Sequence, residues 1–149
     1  MCVRVWDSAR PPTEPMWVLR NANVFPSRRA RSTPTSRTAR KAAPKHFHLE
    51  EDEWFYCLAG EYIVEVGNQR YELKPGDSVL GPRRVPHAFA FVGNTPGRLM
   101  VGFTPAGRVE QFFRDLDARG TYFGAATNED REAARQRYGI VNVGPPLAF

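Results

Sequence analysis

The run HFHLEEDEWFYCLAGEYIVEVGNQRYELKPGDSVLGPRRVPHAFAFV, residues 46–92, decides the fold. It is a succession of short β-forming stretches cut by turn residues. Trp54–Leu58 is rich in aromatic residues and ends at Ala59-Gly60. Glu61–Val66 alternates, with Tyr62, Val64 and Val66 on one face and Glu61, Ile63 and Glu65 on the other, the period-2 pattern of a strand. Gly67-Asn68 supplies a tight turn, and Arg70–Leu73 returns as the second arm of a hairpin. Pro75-Gly76-Asp77 turns the chain again before Ser78–Leu80. His87–Val92, a Gly93-Asn94 turn and Leu99–Phe103 complete the series. Strands this short, at spacings of about eight to twelve residues, predict an all-β sandwich or barrel.

Towards the C-terminus the period changes. Val109, Phe112, Phe113 and Leu116 follow i, i+3, i+4, i+7, which predicts a helix from Val109 to Arg119, stopped by Gly120. A second helix is predicted over Asn128–Tyr138, where Thr127 and Asp130 have the spacing of a capping box and Gly139 stands at the C-terminal cap. Towards the N-terminus one strand is predicted at Met16–Phe25 (MWVLRNANVF). It is followed by SRRARSTPTSRTARKAAPK, Ser27–Lys45, which holds no apolar residue larger than alanine. The organisation expected is an N-terminal strand and basic segment over residues 1–45, a barrel core over 46–105, and helices and a tail packing on the barrel over 106–149.

The chain has 149 residues, 42% hydrophobic and 25% charged, which suits one domain with a real core and argues against wholesale disorder. No run approaches the roughly 20 apolar residues of a membrane span, so no membrane is expected as a partner. The first twenty residues carry Arg4, Asp7, Arg10 and Glu14 with no continuous apolar stretch, so no secretory signal is read there. Two cysteines, Cys2 and Cys57, form no C-x-x-C pair, which excludes a disulfide framework or a cysteine-rich zinc site and points to a reducing cytoplasm. The net charge of +5 is unevenly placed. Residues 1–45 hold ten Lys/Arg against Asp7 and Glu14, whereas residues 46–149 hold eleven against fourteen Asp/Glu. The basic stretch reads as a solvated arm that cannot bury enough surface to order itself. The alternative is an electrostatic contact with nucleic acid or another polyanion, which the lack of aromatics among its arginines and of a nucleic-acid fold signature disfavours.

All three histidines of the chain fall in a pattern that metal chemistry explains. His46 and His48 are two apart, so on a strand both rings leave the same face. Glu53 follows at the start of the next β-run, where a turn through Leu49-Glu50-Glu51-Asp52 brings it alongside. His87 comes from a distant strand. Three imidazoles and a carboxylate suit one borderline divalent cation, held at roughly 2.0–2.2 Å by each ligand. An octahedral ion would keep two positions open, as a catalytic site does.

His46-x-His48-x4-Glu53-x6-Gly60, followed by Gly76-x5-Pro82-x4-His87, resembles the two motifs of the cupin superfamily, and most of all its small single-domain members related to quercetin dioxygenase. The resemblance runs from about Pro44 to Phe103, and the helical tail is also similar. It implies a conserved jelly-roll β-barrel with a short C-terminal helical extension, a homodimer, and a metal inside the barrel held by His46, His48, Glu53 and His87. The ion it implies is one of iron, manganese, nickel, copper, cobalt or zinc. Arg84 stands where the family usually has a glycine, and Phe91 where it often has an asparagine. Family members also precede the His-x-His with an apolar strand, whereas here that stretch is basic and polar. One barrel wall is then polar, or a strand comes from the N-terminus or a partner, or the site is more open.

Alternation turns Cys57 inward with Glu53 and Phe55, as a small buried hydrophobe rather than a redox group. Phe55, Cys57, Phe89 and Phe91 share faces with Glu53 and His87 and are expected to line an aromatic pocket, or simply to pack the core. Glu50, Glu51 and Asp52 read as a solvated turn, with Glu51 replacing Glu53 only if that turn is shorter. Arg83 and Arg84 read as exposed turn residues, with contact to an anionic substrate as the alternative. The activity implied is that of a metal-dependent enzyme acting on a small aromatic or enolic molecule, a quercetinase-like dioxygenase in which Glu53 takes the substrate proton. A non-redox isomerase or cyclase, and a non-catalytic binding cupin, use the same residues.

Overall fold

The computed structural model describes residues 2–7, 44–119 and 128–148. The strand expected at Met16–Phe25, nearly all of the basic stretch, Gly120 and the capping residue Thr127 lie outside the described residues. The elements run β1 (Cys2–Asp7), β2 (Pro44–His48), β3 (Asp52–Ala59), β4 (Tyr62–Val66), β5 (Gln69–Leu73), β6 (Ser78–Gly81), β7 (His87–Phe91), β8 (Arg98–Thr104), α1 (Val109–Arg119), α2 (Asn128–Tyr138) and β9 (Ile140–Pro146). The strands form two antiparallel sheets, one ordered β1-β8-β3-β6 and the other β5-β4-β7-β2-β9. The architecture is the jelly roll expected from the sequence, with the two helices beside it.

The core forms where the inner faces of the sheets meet. Phe55 and Cys57 of β3 and Leu99, Val101 and Phe103 of β8 face Tyr62 and Val64 of β4 and Phe89 and Phe91 of β7. The alternation Glu53, Phe55, Cys57 is the period-2 pattern made physical, each being buried while Trp54 and Tyr56 between them are half-buried. β4 and β5 join through Gly67 and Asn68, with Val66 opposite Gln69 and Gly67 at φ 59, the positive φ that a tight hairpin turn requires.

Two strands were not expected. β1, with the sequence CVRVWD, adds to the edge of the first sheet beside β8. β9 pairs with β2 along its length, His46 opposite Asn142 and His48 opposite Ile140. The strand beside β2 is therefore one that follows the helices, not the basic stretch. Its ending in Gly144, Pro145 and Pro146 carries turn propensity, but among the described residues β9 is at the sheet's edge, where prolines that cannot donate to a ladder are tolerated.

Both helices occupy their expected spans. Val109 is buried, Phe113 packs on Phe103 at 5.8 Å between ring centroids, and Phe112 packs on Tyr138 at 5.3 Å. Gly139 closes α2 at φ 70, its N–H bonded to the Arg135 carbonyl at 3.0 Å. Its own carbonyl accepts the Leu49 N–H at 2.9 Å, which ties the end of α2 to the turn after β2.

Candidate metal centre

Two turns carry the site, and they are clamped together. One, residues 49–51, joins β2 to β3; the other, residues 82–86, joins β6 to β7. Asp52 accepts from the backbone N–H of Arg83 at 2.8 Å and from its guanidinium at 3.0 and 2.8 Å. Those bonds hold the Asp52 carboxyl down at about 2. Arg84 donates its backbone N–H to the His48 carbonyl at 2.8 Å. Arg84 adopts φ 63, the left-handed conformation natural to glycine, which explains why its position favours glycine in the family it resembles. Arg83 and Arg84 are exposed turn residues as expected, and both hold the second turn against the first.

This clamp sets β7 beside β2 with His46 directly opposite His87. Across the barrel, Glu53 on β3 lies opposite Gly81 on β6. A Cβ at Gly81 would come within 3.0 Å of His87 Nδ1, so glycine there gives the imidazole its room.

The four residues expected as ligands come together. Oε2 of Glu53 lies 2.7 Å from Nε2 of His87, 3.1 Å from Nε2 of His48 and 3.5 Å from Nε2 of His46. The four ligand atoms are all within 4.8 Å of one another. His48, Glu53 and His87 are buried, and His46, at 14% side-chain exposure, is the member nearest solvent. The ring orientations are fixed from behind. His46 donates Nδ1–H to the Pro44 carbonyl at 2.8 Å and His87 donates to the Val85 carbonyl at 2.9 Å. A carbonyl can only accept, so both Nδ1 atoms carry the hydrogen; each Nε2 then offers its lone pair to a cation or, where there is none, takes a proton that it shares with Glu53.

Burial works against the charged forms of His46 and Glu53, but their mutual interaction wins. Desolvation lowers the His46 pKa, yet the hydrogen bond to Glu53, its charge and the bond to Pro44 leave it raised. Desolvation likewise raises the Glu53 pKa, and the charge of His87 with hydrogen bonds from all three imidazoles brings it well below the ordinary carboxylate value. Lone pairs of three nitrogens and a carboxylate oxygen converging on one buried point repel unless a cation or a proton lies among them. The separations of 2.7 to 3.5 Å from Glu53 Oε2 to the three imidazoles are close to the ligand–ligand edges of a first-row cation with bonds of about 2.0–2.2 Å. The donor set fits, and the cluster can hold a metal ion.

The residues expected around the pocket divide. Phe55 lies 5.9 Å from the His87 ring and 5.7 Å from Phe89, so those two build the aromatic wall beside the site. Phe91 packs on Tyr62 and against Gly60, Gly93 and Gly97, at the other end of β7. The Cys57 thiol points to the carbonyls of Ala59 and Gly60, and burial pushes its pKa up, in keeping with an inert core residue. Phe103, not singled out from sequence, sets its ring edge-on to His48 at 5.3 Å. Its position on the buried face of β8 was legible, but not which strand it would meet across the barrel.

The solvated turn expected over Glu50, Glu51 and Asp52 needs correcting. Glu50 is exposed and Asp52 begins β3, but Glu51 is only 1% exposed. The loop ahead of α1 folds over it, and Arg108 N–H donates to its Oε1 at 3.3 Å. Three consecutive acidic residues look solvent-facing locally; a segment more than fifty residues downstream buries the middle one.

Residues 38–103 match the family described as Cupin domain. Over these residues the chain is similar to a cupin domain, in keeping with a jelly roll that carries a histidine–glutamate cluster. The chain is 31% identical over 55 residues to an uncharacterized protein of Methanocaldococcus jannaschii, covering 37% of this chain and 44% of that one. It is 34% identical over 71 residues to quercetin 2,3-dioxygenase of Bacillus subtilis, covering 48% and 20% respectively. The chain thus spans less than half the length of the curated relatives it matches. Among solved structures it is similar to TT1209 from Thermus thermophilus, 32% identical with a TM-score of 0.43, covering 44% of this chain and 63% of that one. No helix among the described residues is long and apolar enough to cross a membrane.

Proposed function

We propose that the chain is a metal-dependent cupin enzyme that acts on a small aromatic or enolic molecule, as a dioxygenase of the quercetinase type. The observation that carries this reading is the convergence of three imidazole Nε2 atoms and one carboxylate oxygen in a buried, aromatic-walled interior. The likeness to a relative named quercetin 2,3-dioxygenase supports it. His46, His48, Glu53 and His87 would hold one divalent ion of iron, manganese, nickel, copper, cobalt or zinc; their imidazole and carboxylate donors suit all of these. A bound ion of this kind supplies Lewis acidity that lowers the pKa of an enol or phenol hydroxyl.

The remaining work falls to the chain. Glu53 would bend away from the ion and take the hydroxyl proton, the role that the resemblance to quercetinase-like cupins implies. Phe55 and Phe103 exclude water and hold a planar ring, and His46, the most exposed of the four, marks the side of entry. A small-molecule substrate and a second copy of the chain are the proposed partners, in a reducing cytoplasm.

Oxygen uptake by the metal-loaded protein against a panel of flavonols and catechols tests this. Uptake that disappears with chelator and with His46→Ala is the expected result. Substrate turnover without uptake would assign the same residues to isomerisation or cyclisation. Ligand binding without turnover would make the protein a binding module and end the enzymatic reading.

A further inference from the structure

The carboxylate of Glu51 stands outside the four-atom cluster, yet it is as deeply buried as the ligands. Backbone carbonyls fix two of the three imidazoles through Nδ1, those of His46 and His87. His48 is held differently. Its Nδ1 is buried with no hydrogen-bond partner, and so is Oε2 of Glu51, 3.8 Å away. The two atoms face each other across a gap about 1 Å wider than a hydrogen bond. The rest of the Glu51 carboxylate is seated firmly. Oε1 accepts the Arg108 N–H at 3.3 Å, next to the first turn of α1, and Gly107, at φ 49, approaches so closely that a Cβ there would overlap the carboxylate.

If Nε2 of His48 gives its lone pair to a cation, Nδ1 must carry the hydrogen, and a buried N–H left without an acceptor is strongly disfavoured. The facing acceptor is Oε2 of Glu51. We infer that Glu51 is a positioning residue for His48: its Oε2 accepts the Nδ1–H, which fixes the tautomer and turns Nε2 to the cation. Carboxylate–histidine–metal arrangements orient ligands in this way and raise their basicity. Charge points in the same direction. Three neutral imidazoles, the Glu53 carboxylate and a divalent ion leave a net positive charge in a buried site, and a second carboxylate brings the group to neutrality. The inference rests on the metal-binding reading proposed above, and its test separates the two.

The experiment loads the full chain with Zn(II) or Co(II). It measures affinity by chelator competition, ligand geometry by the Co(II) visible spectrum, and the melt of the metal-free protein. Glu51→Gln is isosteric and keeps an acceptor for Arg108. It is expected to weaken cation binding roughly 10- to 100-fold and to alter the Co(II) spectrum, with the metal-free melt close to wild type. Glu51→Asp, which restores the charge one methylene short, is expected to recover part of that affinity. Wild-type affinity and spectrum in Glu51→Gln would overturn the inference and leave Glu51 a cap for α1. Should that variant not fold, nitrogen-15 NMR of the Zn(II)-loaded wild type decides. A His48 Nδ1–H protected from exchange supports the inference, and one exchanging like a free imidazole refutes it. A wild-type protein that takes up neither cation would overturn the metal reading, and this inference with it.

Discussion

Replacing Gly81 by alanine would put a methyl group against the imidazole that comes from the far strand, without changing any ligand atom. The new Cβ would sit 3.0 Å from Nδ1 and 3.2 Å from Cγ of His87, and 3.4 Å from the Glu53 carbonyl oxygen. Ordinary contact begins at 3.4 Å, so the ring must retreat by about 0.4 Å. Two consequences follow from that displacement. The Nδ1–H bond to Val85, now 2.9 Å, is strained as the ring moves. Nε2 shifts by a similar amount, beyond the tolerance of about 0.2 Å that metal–ligand distances allow. Overpacking of this kind destabilises by about 1–3 kcal/mol, which for a chain of this size lowers the melting temperature by about 2 to 12 °C. Gly81→Ala should therefore melt earlier when metal-free and bind Zn(II) at least about tenfold more weakly. Thermal melts with and without cation, with chelator competition alongside, read both effects. Gly144→Ala is the control, since its Cβ would meet Lys45 at an ordinary 3.4 Å. If Gly81→Ala kept wild-type melting and wild-type affinity, the assignment of His87 to this cluster would be refuted.

Two other outcomes follow from the charges around the site. Asp52→Asn removes the charge and one oxygen of the fork that holds the two turns together, and at this partly exposed pair the loss should be at most about 1 kcal/mol. Because the Asp52 carboxyl is depressed to about 2, that contribution is present above its ordinary value of 3.8 and fades as pH falls through about 2. Equal acid-unfolding curves for variant and wild type would count against it. In the metal-free protein, the raised His46 contributes stability fully present below 6.5 and lost as pH rises through its folded value. The lowered Glu53 contributes stability present above 4.5 and lost as pH falls through its folded value. The part of stability that Glu53→Gln abolishes should thus be largest between pH 4.5 and 6.5 and shrink on the alkaline side. Added cation should reverse the trend, since it competes with protons for the same atoms. Melting temperatures from pH 4 to 9 with and without chelator test this; a Glu53→Gln difference that keeps growing above pH 7 without metal would contradict it.

Of the four clustered residues, His46 and His48 were the most legible in sequence, because their placement follows from local periodicity. A two-residue interval puts His46 and His48 on one face whatever the rest of the chain does. His87 entered as the chain's third imidazole and through the spacing of a family motif, since nothing local to PHAFAF announces a partner strand. What escaped the sequence depends on contacts between distant segments. Glu51 lies in an acidic turn, and its burial is decided by Gly107 and Arg108. Phe103 reads as a core residue, but its contact with His48 arises where two sheets close on each other. β9 was hidden because Pro145 and Pro146 carry turn propensity, which an edge position overrides. Arg84 stands in place of a glycine, and its positive φ is the reason that position favours one.

The pairing of β2 with β9 joins residues such as Lys45 and Gly144, which ribosomes make far apart in time. At synthesis rates of about 5–20 residues per second, the histidine strand waits several seconds for its neighbour. During that interval one flank of β2 presents open backbone N–H and C=O groups, a template for any strand that arrives first. The sheet around His46 and His48 can thus be completed only once β9 has been made.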